Sequence, residues 1–252
     1  MLSSILVILG CATLAVVGFL FLSRFVPDRW LIADADAAGA LYATIGMVYA
    51  ILVALAAIAV WEPRAAAADS TEREATDLIE AYWSARALET PDRLKVQQLI
   101  TTYTEEVIDG EWRILSRERA PSSRAQNLLN QLRSTAEAIE PETDRQVAAH
   151  DQVLARIADA ADARRARIGA ASEGMPYPLW PILIFGGVIS IAFLYLFGLQ
   201  RTFPNGLMMF TVGGMVALLL VVIYQLEYPF SRGLSIGPEA FQDALTQLGM
   251  MP

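Results

Sequence analysis

Four stretches without one charged side chain, Leu2–Ser23, Ala37–Trp61, Gly174–Gln200 and Thr202–Leu226, constrain this chain more than any other feature. Each reaches the roughly 20 apolar residues that carry an α-helix across the hydrocarbon core of a bilayer. No water is available there to satisfy backbone N–H and C=O groups, so each stretch has to close its own hydrogen bonds as a helix. They account for a hydrophobic fraction of 55% against only 18% charged residues, a balance outside that of ordinary soluble domains. Between the second and third stretches lies Glu62–Glu173, polar and rich in Ala, Glu, Asp and Arg. The expected fold class is an all-α membrane protein, with four transmembrane helices and a long helical cytosolic insertion between the second and third. It divides into residues 1–61 (helices 1 and 2 with a short link), 62–173 (the insertion), 174–228 (helices 3 and 4) and 229–252 (an exit turn and a C-terminal amphipathic helix).

The first stretch is expected to remain as a helix and not to leave as a signal peptide. Its opening MLSSILV carries no Lys or Arg, and its apolar run outlasts the roughly 7–15 residues of a signal core. With four spans, the N-terminus, the insertion and the C-terminus share one side. Near the membrane that side holds Arg64, Arg73, Arg164, Arg165, Arg167 and Arg232, against Arg24, Arg29 and Arg201 on the other. The positive-inside bias therefore points the shared side to the cytoplasm. A net charge of −8 argues against a nucleic-acid partner, which needs a basic face. Cys11 and His150 are the only residues of their kinds, so neither an intrachain disulfide nor a Cys/His metal set is available. No acidic pair lies inside a span, where an intramembrane enzyme or a proton relay would need one. The chain is expected to be no enzyme and to carry no cofactor and no metal.

In the insertion, Pro63, Pro91, Pro121 and Pro141 are each expected to open a helical segment, because a first helical turn needs no N–H from its proline. Val96, Leu99, Tyr103 and Val107 recur along one helical face, and Val147, Leu154, Ala158, Ala161 and Ile168 along another. The span ahead of Pro63 is expected to run on as a stalk, kinked at that proline. Glu105, Glu106, Asp109 and Glu111 read as a solvated acidic face. Arg164, Arg165 and Arg167 read as anchors to anionic lipid.

The second span separates into three faces at 100° per residue. Gly39, Ala43, Gly46, Ala50, Ala54 and Ala57 form a stripe of small residues, which permits close helix approach. Leu41, Thr44, Val48, Ile51, Leu55 and Ile58 form an aliphatic face. Tyr42, Ile45, Tyr49, Val53, Ala56 and Val60 form a bulky face with two phenolic hydroxyls, which need partners or a wet lumen. Packing alone accounts for these stripes as well as a pore does. At the mouths stand Asp34, Asp36 and Glu62; repeated around a symmetry axis, they would become carboxylate rings that favour cations. Gly186-Gly187 and Gly213-Gly214 suggest close packing in the third and fourth spans.

The last span ends in QLEYPFSRGLSIGPEAF. Glu227 and Arg232 mark the interface, Pro229 stops the helix beside Phe230, and Gly233 permits a reversal of the backbone. Pro238 then opens a short helix with Phe241, Leu245 and Leu248 on one face, expected to dock onto the insertion. Together with LYATIGMVYAILVALAAIAVWE, EREA, YTEEVIDGEW and ARRARI, this stretch resembles the bestrophin architecture, and more closely the bacterial membrane proteins called bestrophin-like. The resemblance implies a pentameric ion channel whose second span lines a hydrophobic neck with bulky residues at i, i+4 and i+8. Ile45, Tyr49 and Val53 have that spacing here, flanked by Tyr42 and Ala56. It also implies a homo-oligomer, most simply a pentamer, in a bacterial inner (plasma) membrane. The bilayer and permeant inorganic ions are its other partners, and the termini and the insertion are cytoplasmic. The acidic run that clasps calcium in bestrophins is missing after this exit turn, and the acidic mouths favour cations. The rival reading is a non-conducting membrane adaptor or sensor whose helical cytosolic domain binds a partner.

Overall fold

The computed structural model describes residues 2–25, 35–196 and 202–250, without the side chains of residues 23 and 35–37. The described residues form helices joined by turns and irregular segments and contain no strand. In chain order the helices are α1 (Leu2–Phe25), α2 (Ala35–Ser84), α3 (Thr90–Glu106), α4 (Trp112–Glu118), α5 (Ser123–Glu137), α6 (Asp144–Ser172), α7 (Leu179–Tyr195), α8 (Phe203–Leu226) and α9 (Glu239–Met250). Three of them, α1, α2 and α8, are long and apolar enough to cross a bilayer. The third hydrophobic stretch yields a shorter helix of 17 residues, α7, which starts only after Pro178. The chain forms two compact units, residues 1–61 with 174–227 and residues 62–173 with 228–252.

In the first unit, α1 lies against α8 through Ala12, Ala15, Phe19, Met209 and Ala217, all buried. A Cβ placed on Gly213 would sit 2.6 Å from the Cβ of Ala15, so only glycine allows these backbones to meet. Lipid tails are as apolar as these side chains, so close fit and polar bonds hold such helices together rather than any hydrophobic drive. Tyr195 Oη donates to Ala15 O at 2.9 Å, and Gln225 Nε2 to Ser4 Oγ at 2.7 Å.

The second unit has a conventional apolar core of Leu78, Val96, Ile100, Leu115, Leu132, Val153, Ile157, Phe230 and Phe241. Local sequence sets its helix boundaries. Ser122 caps α5 by accepting from Ala125 N, and Thr143 with Gln146 closes a reciprocal capping box on α6. Pro91 lies in the first turn of α3, as expected, but Pro63 sits inside α2 and does not open a helix. The buried face of α6 also differs from the expected one. It runs through Ala149, Val153, Ile157, Ala160, Arg164, Arg167 and Ala171, while Val147 is exposed and Leu154, Ala158, Ala161 and Ile168 flank it.

Between α3 and α4 the chain makes a π-helical turn, Val107–Glu111. One extra residue in a turn rotates everything after it by about 100°. Without that rotation the face of Val96, Ile100, Tyr103 and Val107 would drift off Leu115. With it, Glu111, Trp112 and Leu115 are all buried.

Candidate functional site

The sequence singled out the membrane half of α2, and the structure distributes its three faces unequally. Tyr49, Val53 and Ala56 are 9%, 7% and 0% exposed, clustered with Val60, Met175, Leu183 and Ile223. A Cβ on Gly186 would come within 2.7 Å of the Tyr49 ring, and one on Gly187 within 2.9 Å of its hydroxyl. The glycine doublet is thus a notch that admits the tyrosine. Within this chain Tyr49, Val53 and Ala56, expected at a neck, are enclosed by their own helices. Tyr42 and Ile45 are half-buried at the edge of the same face. Tyr49 Oη is buried without a hydrogen-bond partner.

The aliphatic face is uncovered, and so is much of the small-residue stripe beside it, where Ala43, Ala50 and Ala54 are exposed. Leu41, Val48, Ile51, Leu55 and Ile58 are 69%, 55%, 55%, 58% and 59% exposed, with exposed Thr44 on the same face and Met47, outside the face as read from the sequence, exposed beside it. Glu62 ends this stripe and is exposed. Asp34 lies outside the described residues, as does the side chain of Asp36.

The exit turn contributes to both units. Within the first, Glu227 is buried and accepts from Trp180 Nε1 at 3.0 Å. Within the second, Pro229 O accepts from Ile236 N at 2.7 Å, closing the turn that holds Phe230 inside. Trp112 meets Phe230 and Phe241 edge-on, with ring centroids at 5.4 and 5.8 Å, and its Nε1 donates to Ile236 O at 3.2 Å. Arg119 and Arg232 stand over the Tyr228 ring at 3.5 and 4.6 Å, while Gly233 is exposed. Phe241, Ala244 and Leu248 are the residues of α9 that enter the core; Leu245, expected among them, stays at the border.

Behind Trp112 lies a group of charges, of which Glu111 was expected on a solvated face and Arg164 and Arg167 as anchors to lipid. Arg167 is fully buried and donates from Nε to Glu74 Oε2 at 2.7 Å, and from Nη2 to Glu74 Oε1 at 3.1 Å and Glu111 Oε1 at 2.7 Å. Arg164 Nη2 donates to Glu111 Oε2 at 2.5 Å, and Tyr103 Oη to Glu74 Oε1 at 2.5 Å. Ser122 N completes the coordination of Glu111 at 3.2 Å. Burial by itself would lower the Arg167 pKa, but Glu74 and then Glu111 overcome it and hold the guanidinium above its usual range. Tyr103 is raised well above its ordinary value, by burial first and by the Glu74 charge second. Arg164 and Arg167 are therefore internal counter-ions and not lipid anchors, and Glu111 is no part of a solvated face. Only Arg165 remains exposed, paired with Asp162.

The sequence matches the bestrophin-like domain family over residues 9–241. The chain belongs to the bestrophin-like family. Solved structures agree with this assignment in fold. A point variant of the bacterial bestrophin homologue from Klebsiella pneumoniae aligns with a TM-score of 0.74 and 12% identity, over 97% of this chain and 99% of that one. Another variant of the same homologue aligns with a TM-score of 0.71 and 11% identity, over 98% and 97%. A structure described only as a membrane protein variant aligns with a TM-score of 0.72 and 13% identity, over 97% and 99%. No protein of curated function matches the sequence. At such identities the shared property is the fold. In this bestrophin-like chain, the residues that sequence reasoning missed are Glu74, Tyr103, Glu111, Arg164 and Arg167. A signal for the arginines was present: both continue the helical face of Val153, Ile157 and Ala160, an apolar register in which a cation has to find an acid.

Proposed function

We propose that this bestrophin-like protein is an ion channel built as a symmetric oligomer, with α2 of each copy nearest the axis. The reading takes α7 as the fourth membrane crossing beside α1, α2 and α8, and the second unit as cytosolic. The observation that carries it is the uncovered stripe of α2: Thr44, Met47, Ile51, Leu55 and Ile58 lie opposite the face that packs on Tyr49's glycine notch. Family membership supports this placement, since the bestrophin resemblance implies a second span that lines a hydrophobic neck. Bulky aliphatic rings of this kind gate by excluding water from the constriction. The neck is therefore assigned to Ile51 and Ile58 rather than to Tyr49 and Val53. A ring of Glu62 at one mouth favours cations.

Purified protein in planar bilayers tests the reading. It should conduct, with the open-channel current raised by Ile51→Ala and with cation preference reduced by Glu62→Gln. Absence of any conductance from pure protein would replace the channel by the non-conducting adaptor. A current insensitive to both substitutions would remove α2 from the pathway.

A further inference from the structure

The second unit holds a small pocket between α5 and α6, of about 220 Å³, lined by Gln126, Asn130, Arg133, Ile157, Arg164 and Arg165 among others. None of its lining residues is a carboxylate. Arg164 is only 3% exposed, and its two Nη atoms are engaged by Gln126 and Glu111, yet its Nε is buried with no partner. That atom has no accessible surface, so Arg164 acts on the pocket as a buried positive charge and not through Nε. Gln126 Oε1 accepts from Arg164 Nη1 at 2.5 Å, and Gln126 Nε2 donates to Asn130 Oδ1 at 3.0 Å. Each amide oxygen thus already accepts one hydrogen bond, and the Asn130 amide nitrogen remains as a donor. Arg133 and Arg165 stand at the rim, each paired along its own helix, with Glu137 and Asp162. Those pairs are exposed, contribute little, and yield readily to a better acceptor.

A pocket of donors, with three guanidiniums and no acid in its wall, has the chemistry of an oxyanion site; planar N–H forks suit phosphate and carboxylate oxygens. Its size narrows the choice. Sites for drug-sized ligands run from roughly 300 to 1,000 Å³, so this one takes a few heavy atoms and not a nucleotide. We propose that the pocket binds a small soluble oxyanion of the phosphate type, held by Arg133 and Arg165 at the rim and by the Asn130 amide, with the charge of Arg164 in the wall. Through Arg164 the anion is linked to Glu111 and so to the buried charge group, which makes it a stabiliser of the second unit. This assignment holds whether or not the protein conducts.

The test is thermal unfolding of the full-length protein in detergent, followed by tryptophan fluorescence, under titration with sodium phosphate balanced by sodium chloride at constant ionic strength. A ligand that binds only the folded state raises Tm in a saturable way. Wild type should show that rise, and the Arg133→Gln/Arg165→Gln double variant should require at least tenfold more phosphate for it. Because both side chains are exposed, the double variant should unfold at the wild-type Tm when phosphate is absent. A rise that does not saturate, that chloride reproduces, or that survives in the double variant overturns the proposal. A response to short-chain phosphatidic acid without one to inorganic phosphate also overturns it, and assigns the pocket to a lipid headgroup.

Discussion

Arg167 has two carboxylates within 3.1 Å and no exposed surface, and it lies 5.2 Å from the centre of the Trp112 ring and 5.4 Å from that of Phe241. A buried ion pair compared with an apolar pair of the same shape is often neutral, but removing one partner strands the other charge. Arg167→Met would leave Glu74 and Glu111 facing each other without their cation. We expect this to cost about 3–5 kcal/mol of stability in the second unit, read from denaturant unfolding of purified protein. The exposed neighbour Arg165→Gln should stay within about 0.5 kcal/mol. Equal effects of the two would show that the buried group has no special weight. Tyr103 adds a pH dependence to the same site. Its folded pKa is raised well above 10.0, so below pH 10 both states keep the phenolic proton and the term is constant. At higher pH the unfolded chain ionises first, and stability falls as pH climbs towards the folded value. Tyr103→Phe should flatten that alkaline decline; an unchanged slope would place its origin elsewhere.

Helices make their closest approaches where side chains are missing, and the two glycine doublets show it in different ways. Gly186-Gly187 receives a tyrosine ring, whereas Gly213 receives the backbone of α1, with Cys11 O and Ala12 Cα each 3.6 Å from where its Cβ would be. A ring can tilt, but the Ala15 Cβ cannot move without its helix. Gly213→Ala should therefore push α1 from α8 and cost about 1–3 kcal/mol, as overpacking does. Adding Ala15→Gly should restore most of the loss, measured by unfolding in detergent; a double variant no better than the single would place the strain elsewhere. Element by element, the sequence was legible wherever one physical rule dominated. Long uncharged runs marked α1, α2 and α8, and Pro91 marked the first turn of α3. Pro63 opens no helix of its own, but the expected run of the second span past it as a stalk is there, in a helix of 50 residues. The face of α6 was misjudged because an unweighted count of apolar positions passes over arginine. The π-turn was invisible, since one inserted residue leaves no compositional trace and shows only as a drift in the buried register.

At the scale of the whole molecule, the unresolved choice is between three surroundings for each face of α2: its own chain, lipid, or water. Tyr49, Val53 and Ala56 are buried within their own chain. The bulky face was legible in the sequence as special, but its partner was not, because the Gly186-Gly187 notch lies over 100 residues away. Lipid and water remain for the aliphatic stripe, and chemistry separates them. A thiol reacts through its thiolate, which forms only where water is present. The natural Cys11 is exposed and has to be removed first, as Cys11→Ser. In that background Ile51→Cys and Ile58→Cys should react with a water-soluble charged thiol reagent and should crosslink between copies under oxidation, because equivalent positions around an axis lie close together. Val53→Cys, enclosed by its own helices, should do neither. Labelling at Val53 with silence at Ile51 and Ile58 would return the pore to the bulky face and overturn the arrangement proposed here. Silence at all three positions, with no crosslinked ladder, would mean that lipid covers the stripe and that the protein acts without a central pathway.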